Sequence, residues 1–268
     1  MENMGIVSVL LWAGSFSWVA EALPSTHSVN APSSKVTAVQ TLSVPILLDE
    51  AQIAYNERAN FEKGWQAVHF WQTALETDPA NYEALWKLAR AHRWLGDHSQ
   101  DNEKLDIYSK GKDYAERAVR ANPDGVWGHY WLGACLGKYG ETKGVFKSLM
   151  LVGPIRDEME KVLKLDSAHA GANYILGALY RKAPGRPLGI GNKKKSLQYA
   201  KKAVELDPAS VRYAVGLGEA YLAVGNRQEA KEVLEEVLKM PPNPEYIPES
   251  LDDKEIAQKL LLEMKERQ

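Results

Sequence analysis

Residues 213–242 read YAVGLGEAYLAVGNRQEAKEVLEEVLKMPP. Two amphipathic stretches flank Gly225-Asn226, a helix-stop pair, and Pro241-Pro242 ends the second stretch because proline cannot continue a helix. Gly218, Tyr221, Gly225, Ala230, Val237 and Pro242 fall at the spacings of two helices packed closely across a tight turn. Small residues on facing helices, Gly218 and Ala230, let the two backbones approach.

The same unit recurs upstream. ALWKLARAHRWLGD begins at Ala84, HYWLGACLGKYGE at His129 and NYILGALYRKAPG at Asn173, and each sets a Leu before a small residue as Leu217-Gly218 does: Leu88-Ala89, Leu132-Gly133 and Leu176-Gly177. These anchors are 44, 44 and 41 residues apart. A second amphipathic stretch follows each one, and an earlier stretch, WQAVHFWQTALETDP, ends at Pro79. The stops Pro79, Pro123, Ser167, Pro208 and Pro242 are 44, 44, 41 and 34 residues apart. Matching spacings at both ends of the unit identify one repeated supersecondary element.

Helix–turn–helix units of about 34 residues with these small and aromatic positions are the tetratricopeptide repeat, and the predicted fold is an all-α solenoid of about five helix pairs with long intra-repeat insertions. No useful strand-like alternation is present. The insertion HSQDNEKLDIYSK reads as a polar loop, GVFKSLMLVG as an apolar packed segment, and RKAPGRPLGIGNKKK as a Gly/Pro/Lys loop. Pro45 to Asn60 reads as a degenerate opening helix. Leu251 to Lys265 reads as an amphipathic helix that covers the last repeat, since solenoids need a polar-faced terminal element. Ala115, Ala118, Ala200, Ala203 and Ala230 are the small residues on the partner helices. Cys135 falls in the packing register, as does His92, so a structural thiol and a hydrogen-bonded core histidine are expected.

Composition narrows the function without choosing it. The 268 residues hold 33 Lys+Arg against 35 Asp+Glu and one Cys, a formal charge of −2. A near-neutral chain gives no general reason to bind nucleic acid, and one Cys excludes an internal disulfide and multi-cysteine metal sites. The six His residues are scattered with no HxxxH pair, so no metal is expected. No nucleophile–base pair, cofactor loop or GxSxG appears, and the chain reads as no enzyme, with no cofactor. Gly5 to Ala20, GIVSVLLWAGSFSWVA, is uncharged and largely apolar and precedes Ala20-Glu21-Ala22. Residues 1–22 therefore read as a secretory signal peptide, or as an anchor if uncleaved. Residues 23–44 read as a Ser/Thr/Pro-rich tether and 45–268 as the solenoid. The expected location is outside the cytoplasm, periplasmic or envelope-associated.

The first helix of each pair is expected to line the inner face. Positions −6, −3, +1, +4 and +5 from the small anchor share one stripe. They place Trp86, Arg90, Arg93 and Trp94 with Glu83; Trp127, Tyr130 and Lys138; Tyr174, Arg181 and Lys182; and Arg212 with Glu219. Six basic residues face two acidic ones, and Trp86, Tyr130 and Tyr174 share a register that predicts an aromatic ladder. Guanidinium forks and aromatic rings suit an anionic, extended or partly apolar ligand. The alternative is that the rings pack on the insertions while the bases pair with Glu83 or Glu219.

Gly128 to Gly185, with the run LGKYGETKGVFKSL, resembles the TatT-like family of periplasmic tetratricopeptide proteins associated with TRAP-type transporters. A weaker similarity runs to the regulator of microtubule dynamics family. Both likenesses rest on long insertions between repeat helices. The TatT resemblance implies a solenoid with a ligand groove or pore that binds a TRAP-type solute-binding protein or a small organic anion. Typical TatT proteins carry a lipidation Cys that this chain lacks. A general peptide-binding assembly scaffold, with homo-oligomers possible, is the other reading.

Overall fold

The computed structural model describes residues 42–187 and 189–266. The signal segment and nearly all of the tether lie outside the described residues. Those residues form eleven α-helices and no strand. Five antiparallel pairs run in order: α1 (Val44–Asn56) with α2 (Phe61–Thr77), α3 (Tyr82–His98) with α4 (Asp101–Ala121), α5 (Val126–Lys143) with α6 (Val145–Leu165), α7 (Ala170–Lys182) with α8 (Lys193–Leu206), and α9 (Val211–Val224) with α10 (Arg227–Lys239). A single helix, α11 (Ile247–Glu266), follows. This is the all-α repeat architecture expected from the spacings.

The periodic stops have a local cause. Asp78, Asn122, Asp166 and Asp207 leave helical geometry at the ends of α2, α4, α6 and α8. Three of the four helices that follow are capped by a side chain that accepts a backbone N–H, Asn81 from Ala84, His169 from Ala172 and Ser210 from Tyr213, while α5 starts from Gly125 without one. The glycine anchors bring helices together: a Cβ on Gly177 would sit 3.3 Å from the Ala200 nitrogen and the Ser196 carbonyl oxygen. The partner alanines Ala115, Ala118, Ala200, Ala203 and Ala230 are all buried. The core is thickest at the N-terminal end, where Trp71, Leu85, Leu88 and Leu95 are sealed among α1–α4. Leu47, Ala51, Ala54 and Tyr55 commit α1 to that core. Cys135 is buried and lies 3.6 Å from the Ala89 carbonyl, and burial pushes its thiol up to about 12. His92 is fully buried with Nδ1 2.8 Å from the Leu88 carbonyl, and desolvation holds the ring near pKa 4.

Three sequence expectations are corrected. The insertion HSQDNEKLDIYSK is not a loop, since only Ser99 and Gln100 separate α3 from α4. Ile107, Tyr108, Gly111, Ala115 and Ala118 form one buried helical stripe, which outweighs the polar outer face. GVFKSLMLVG is also helix, the first turns of α6, and its tip is unpacked: Val145 and Phe146 are 78% and 79% exposed. Finally, α11 packs on α9 and α10 but does more than cap them. The third insertion is a loop as expected only in its middle, since Arg181 and Lys182 end α7 and Lys193, Lys194 and Lys195 open α8; the loop is closed by Gly191 N–H on the Pro184 carbonyl and Asn192 N–H on the Tyr180 carbonyl.

Candidate functional site: an inner face crossed by the C-terminal helix

Consecutive first helices α3, α5, α7 and α9 touch one another and form the inner wall. Across that wall lies α11, tied at points distant in sequence. Arg58, in the α1–α2 turn and 1% exposed, donates to both Glu249 oxygens at 3.1 and 2.5 Å and to the Glu245 carbonyl at 3.1 Å. His98, at the end of α3, faces Asp252 at 3.0 Å, and Arg212 of α9 donates to Asp253 at 3.0 Å. Arg227, at the start of α10, donates to the Met264 carbonyl at 2.8 Å.

Two cavities flank this strap. The larger, about 1220 Å³, is bordered by Arg93, Tyr130, Lys138, Tyr174, Arg181 and Lys182 on the wall and by Asp252, Asp253 and Ile256 of α11. The smaller, about 590 Å³, is bordered by Tyr55, Arg90, Trp94, Trp127, His169 and Tyr246. Arg93, Tyr130 and Arg212 border both. Nine of the ten sequence-predicted site residues thus line one cavity or the other. Trp86 stands beside them, stacked on Trp127 with centroids 5.5 Å apart.

The aromatic ladder takes a staggered form. Each predicted ring meets a ring at the start of the next inner helix or in its cap rather than its own register mate. Trp86 meets Trp127, Tyr130 meets the cap residue His169 at 4.8 Å, and Tyr174 meets Tyr213 at 5.4 Å.

The basic excess read from the inner stripe is largely compensated. Asp97 accepts from Arg93 at 2.6 Å and from the Tyr108 hydroxyl at 2.6 Å and pairs with Lys138 at 3.0 Å. Burial works against its charge, but these partners outweigh it and hold the carboxyl far below its ordinary range. Arg181 pairs with Glu219 at 2.5 Å, Lys182 with Glu141 at 2.6 Å. Burial opposes the charge of Arg212 as well, and Asp253 restores it. Arg90 is held differently: its guanidinium lies 4.2 Å over the Tyr55 ring and 5.3 Å over Trp86 and donates to Gln52 at 3.1 Å.

Around the smaller cavity, four buried nitrogens have no hydrogen-bond partner among the described residues: Arg90 Nε, Trp94 Nε1, Trp131 Nε1 and His169 Nε2. The first three are obligate donors. His169 Nδ1 accepts the Ala172 amide, which places the ring proton on Nε2 and makes it a fourth donor. All four nitrogens are themselves shielded from solvent, so what a ligand would meet at the cavity border is the guanidinium groups of Arg90, Arg93 and Arg212 and the rings around them, which suit oxygen acceptors. Among the described residues no group of three His, Cys, Asp or Glu is placed to hold a metal, and no helix is long and apolar enough to cross a membrane.

Sequence reasoning missed Arg58, Asp97, His169 and the acids of α11. Asp97 and His169 carried a weak signal, each standing beside a predicted inner-stripe segment. The Arg58–Glu249 pair spans 191 residues and has no local signature.

The model of the regulator of microtubule dynamics protein 1-3 family matches residues 47–182, just over half of the chain. The chain belongs to that family. A tetratricopeptide repeat model matches residues 191–247. Among curated relatives, regulator of microtubule dynamics protein 3 of Rattus norvegicus is 23% identical over 74% of this chain and 45% of its own length. The Mus musculus protein of the same name is 24% identical over 59% of this chain and 37% of its own. The chain therefore spans less than half the length of these relatives. A crystal structure of a thermophilic TPR protein from Thermus thermophilus superposes with a TM-score of 0.63, covering 82% of this chain and 100% of that one at 18% identity, which establishes the fold. Of the two resemblances seen in the sequence, the weaker one is the family that is matched.

Proposed function

We propose that this family member is a non-catalytic binding protein whose inner face holds an acceptor-rich, anionic group: a small organic acid or an acidic segment of a protein partner. The observation that carries this reading is that three guanidinium groups, Arg90, Arg93 and Arg212, border the smaller cavity together. The ring surfaces of Tyr55, Trp86 and Trp127 next to them supply apolar contact area. Glu249, Asp252 and Asp253 of α11 already sit against Arg58, His98 and Arg212, so the face accommodates carboxylates. The TatT likeness extends the reading to an exported protein whose partner is a transporter-associated solute-binding protein. The names of the mammalian relatives add microtubules to the candidates.

Native mass spectrometry of the purified full chain tests the small-acid form, and pull-down from envelope extract, with purified tubulin as a separate bait, tests the protein form. The double variant Arg90→Ala/Arg93→Ala is expected to lose the retained ligand or partner at least about tenfold, the scale of one or two charge-assisted hydrogen bonds. A folded double variant that retains either one fully overturns the reading.

A further inference from the structure

The first turns of α6 carry an apolar surface that the inner face uses only in part: Val145 and Leu149 border the larger cavity, whereas Phe146 and Met150 border neither cavity. Val145, Phe146, Leu149 and Met150 are 78%, 79%, 43% and 58% exposed. At 3.6 residues per turn they share one side of the helix, within an arc of about 140°. Gly144, the single residue between α5 and α6, has φ +97°, and a Cβ placed there would meet nothing within 4 Å. The α5–α6 connection is therefore a bare projecting point tipped by Val145 and Phe146.

Extension of the hairpin does not itself require this chemistry. The α3–α4 hairpin lies 44 residues earlier in the same register, and its tip reads His98-Ser99-Gln100-Asp101-Asn102-Glu103. A polar tip is thus sufficient for the fold, and the apolar one needs another explanation.

Charge around the point narrows the partner. Lys143 precedes Gly144, and Lys147 borders the apolar stripe. Neither faces a carboxylate among the described ion pairs; Lys143 lies 6.0 Å from the Tyr139 ring. The nearby Glu141 is already engaged by Lys182. An exposed Phe and aliphatic side chains at a narrow tip, with lysines and a tyrosine just behind, have the layering of a bilayer interface: apolar residues among acyl chains, then tyrosine and lysine at the headgroups. A second copy of this chain fits poorly. A symmetric contact would oppose Lys143 and Lys147 to their own copies, and a turn and a half of helix offers far less than the roughly 800 Å² per partner of a stable interface.

We infer that the α5–α6 tip docks on an anionic lipid bilayer, inserting Phe146 and Met150 while Lys143 and Lys147 contact the headgroups. The test uses the full chain with an environment-sensitive nitrobenzoxadiazole label at Phe146→Cys or, as the control position, at Gln100→Cys. Cys135 is buried and leaves the background unlabelled. Vesicles of phosphatidylcholine alone and of phosphatidylcholine mixed with phosphatidylserine are added. The expected result is a blue shift at 146 but not at 100, stronger with phosphatidylserine and weakened by salt. Because each label reports its own depth, membrane contact by other parts of the chain does not imitate this pattern. The unlabelled Phe146→Ser/Met150→Ser variant is expected to keep the wild-type melting temperature and to bind the anionic vesicles at least about tenfold more weakly. No shift at 146, equal shifts at 146 and 100, or a vesicle-free dimer that the Ser variant dissociates would each overturn the inference. Since the labelled and substituted positions, Phe146, Met150 and Gln100, border neither cavity, failure here and failure of the proposed binding function are separable.

Discussion

The α3–α4 and α5–α6 hairpins are one structure built twice, 44 residues apart, with opposite chemistry at the ends. In α3–α4 the end is anchored. Asp97 gathers Arg93, Lys138 and Tyr108, and His98 reaches α11. In α5–α6 the matching residue is Glu141, which is exposed and holds Lys182 at the surface, and just beyond it the hairpin turns at exposed Val145 and Phe146. The repeat dictates that both hairpins are helical and how they pair. It leaves the distal turns free, and these became an electrostatic anchor in one hairpin and an exposed apolar point in the other.

The comparison breaks most sharply at the matched acids. Asp97→Asn strips the compensating charge from Arg93 and Lys138 in a largely enclosed setting and is expected to cost about 3 kcal/mol. Glu141→Gln, which removes surface pairs, is expected to cost less than about 0.5 kcal/mol. Urea titration of the two variants checks the difference, and equal costs would mean that the two hairpin ends are energetically alike.

A second contrast lies one turn back, where buried His92 of α3 corresponds to Leu136 of α5. Folding holds the His92 ring near pKa 4 against an ordinary 6.5, chiefly by desolvation. The unfolded chain therefore binds this proton first as pH falls. The contribution of His92 is complete above about pH 6.5 and declines as pH drops toward 4, by up to about 3 kcal/mol. His92→Leu should flatten stability over that window, read from denaturation midpoints at a series of pH values. An unchanged slope would show that other groups carry the acid sensitivity.

The smallest contrast concerns Gly96 and Gly140, again 44 residues apart. A Cβ on Gly96 would land in the Tyr108 ring, which is buried and pinned by its hydroxyl to Asp97. On Gly140 it would meet a Leu151 methyl at 3.1 Å and the Ser148 Cα at 3.3 Å. Gly96→Ala is expected to lose about 1–2 kcal/mol, overpacking outweighing the gain in helix propensity. In Gly140→Ala the two effects should nearly cancel, to within about 0.5 kcal/mol. Thermal melts of the pair give the ordering, and the reverse order would locate the tighter hairpin in α5–α6.

Legibility in the sequence followed the range of the interaction. Leu88-Ala89, Leu132-Gly133, Leu176-Gly177 and Leu217-Gly218 gave away the packed pairs because helix contacts recur at three and four residues. The helical start of α4 was missed because the polar outer face of HSQDNEKLDIYSK masked the stripe from Ile107 through Ala118. All the predicted inner residues but Trp86 reach the cavities, and Arg181 pairs with Glu219 as the alternative reading allowed, but the pairing of Arg93, Lys138 and Lys182 was not foreseen. Their partners Asp97 and Glu141 stand eight residues beyond Ala89 and Gly133, outside the stripe positions considered.

The sequence by itself determined the number of helices, their antiparallel pairing and the identity of the inner wall, since each depends on neighbours within one repeat or the next. Only the tertiary structure decided that α11 crosses this wall, that Arg58 meets Glu249 and Arg212 meets Asp253, and that one space becomes two cavities. The physical reason is the curvature of a solenoid. Small rotations between successive repeats add up along the chain until its first turn and last helix come within hydrogen-bonding distance, and no single repeat encodes that sum.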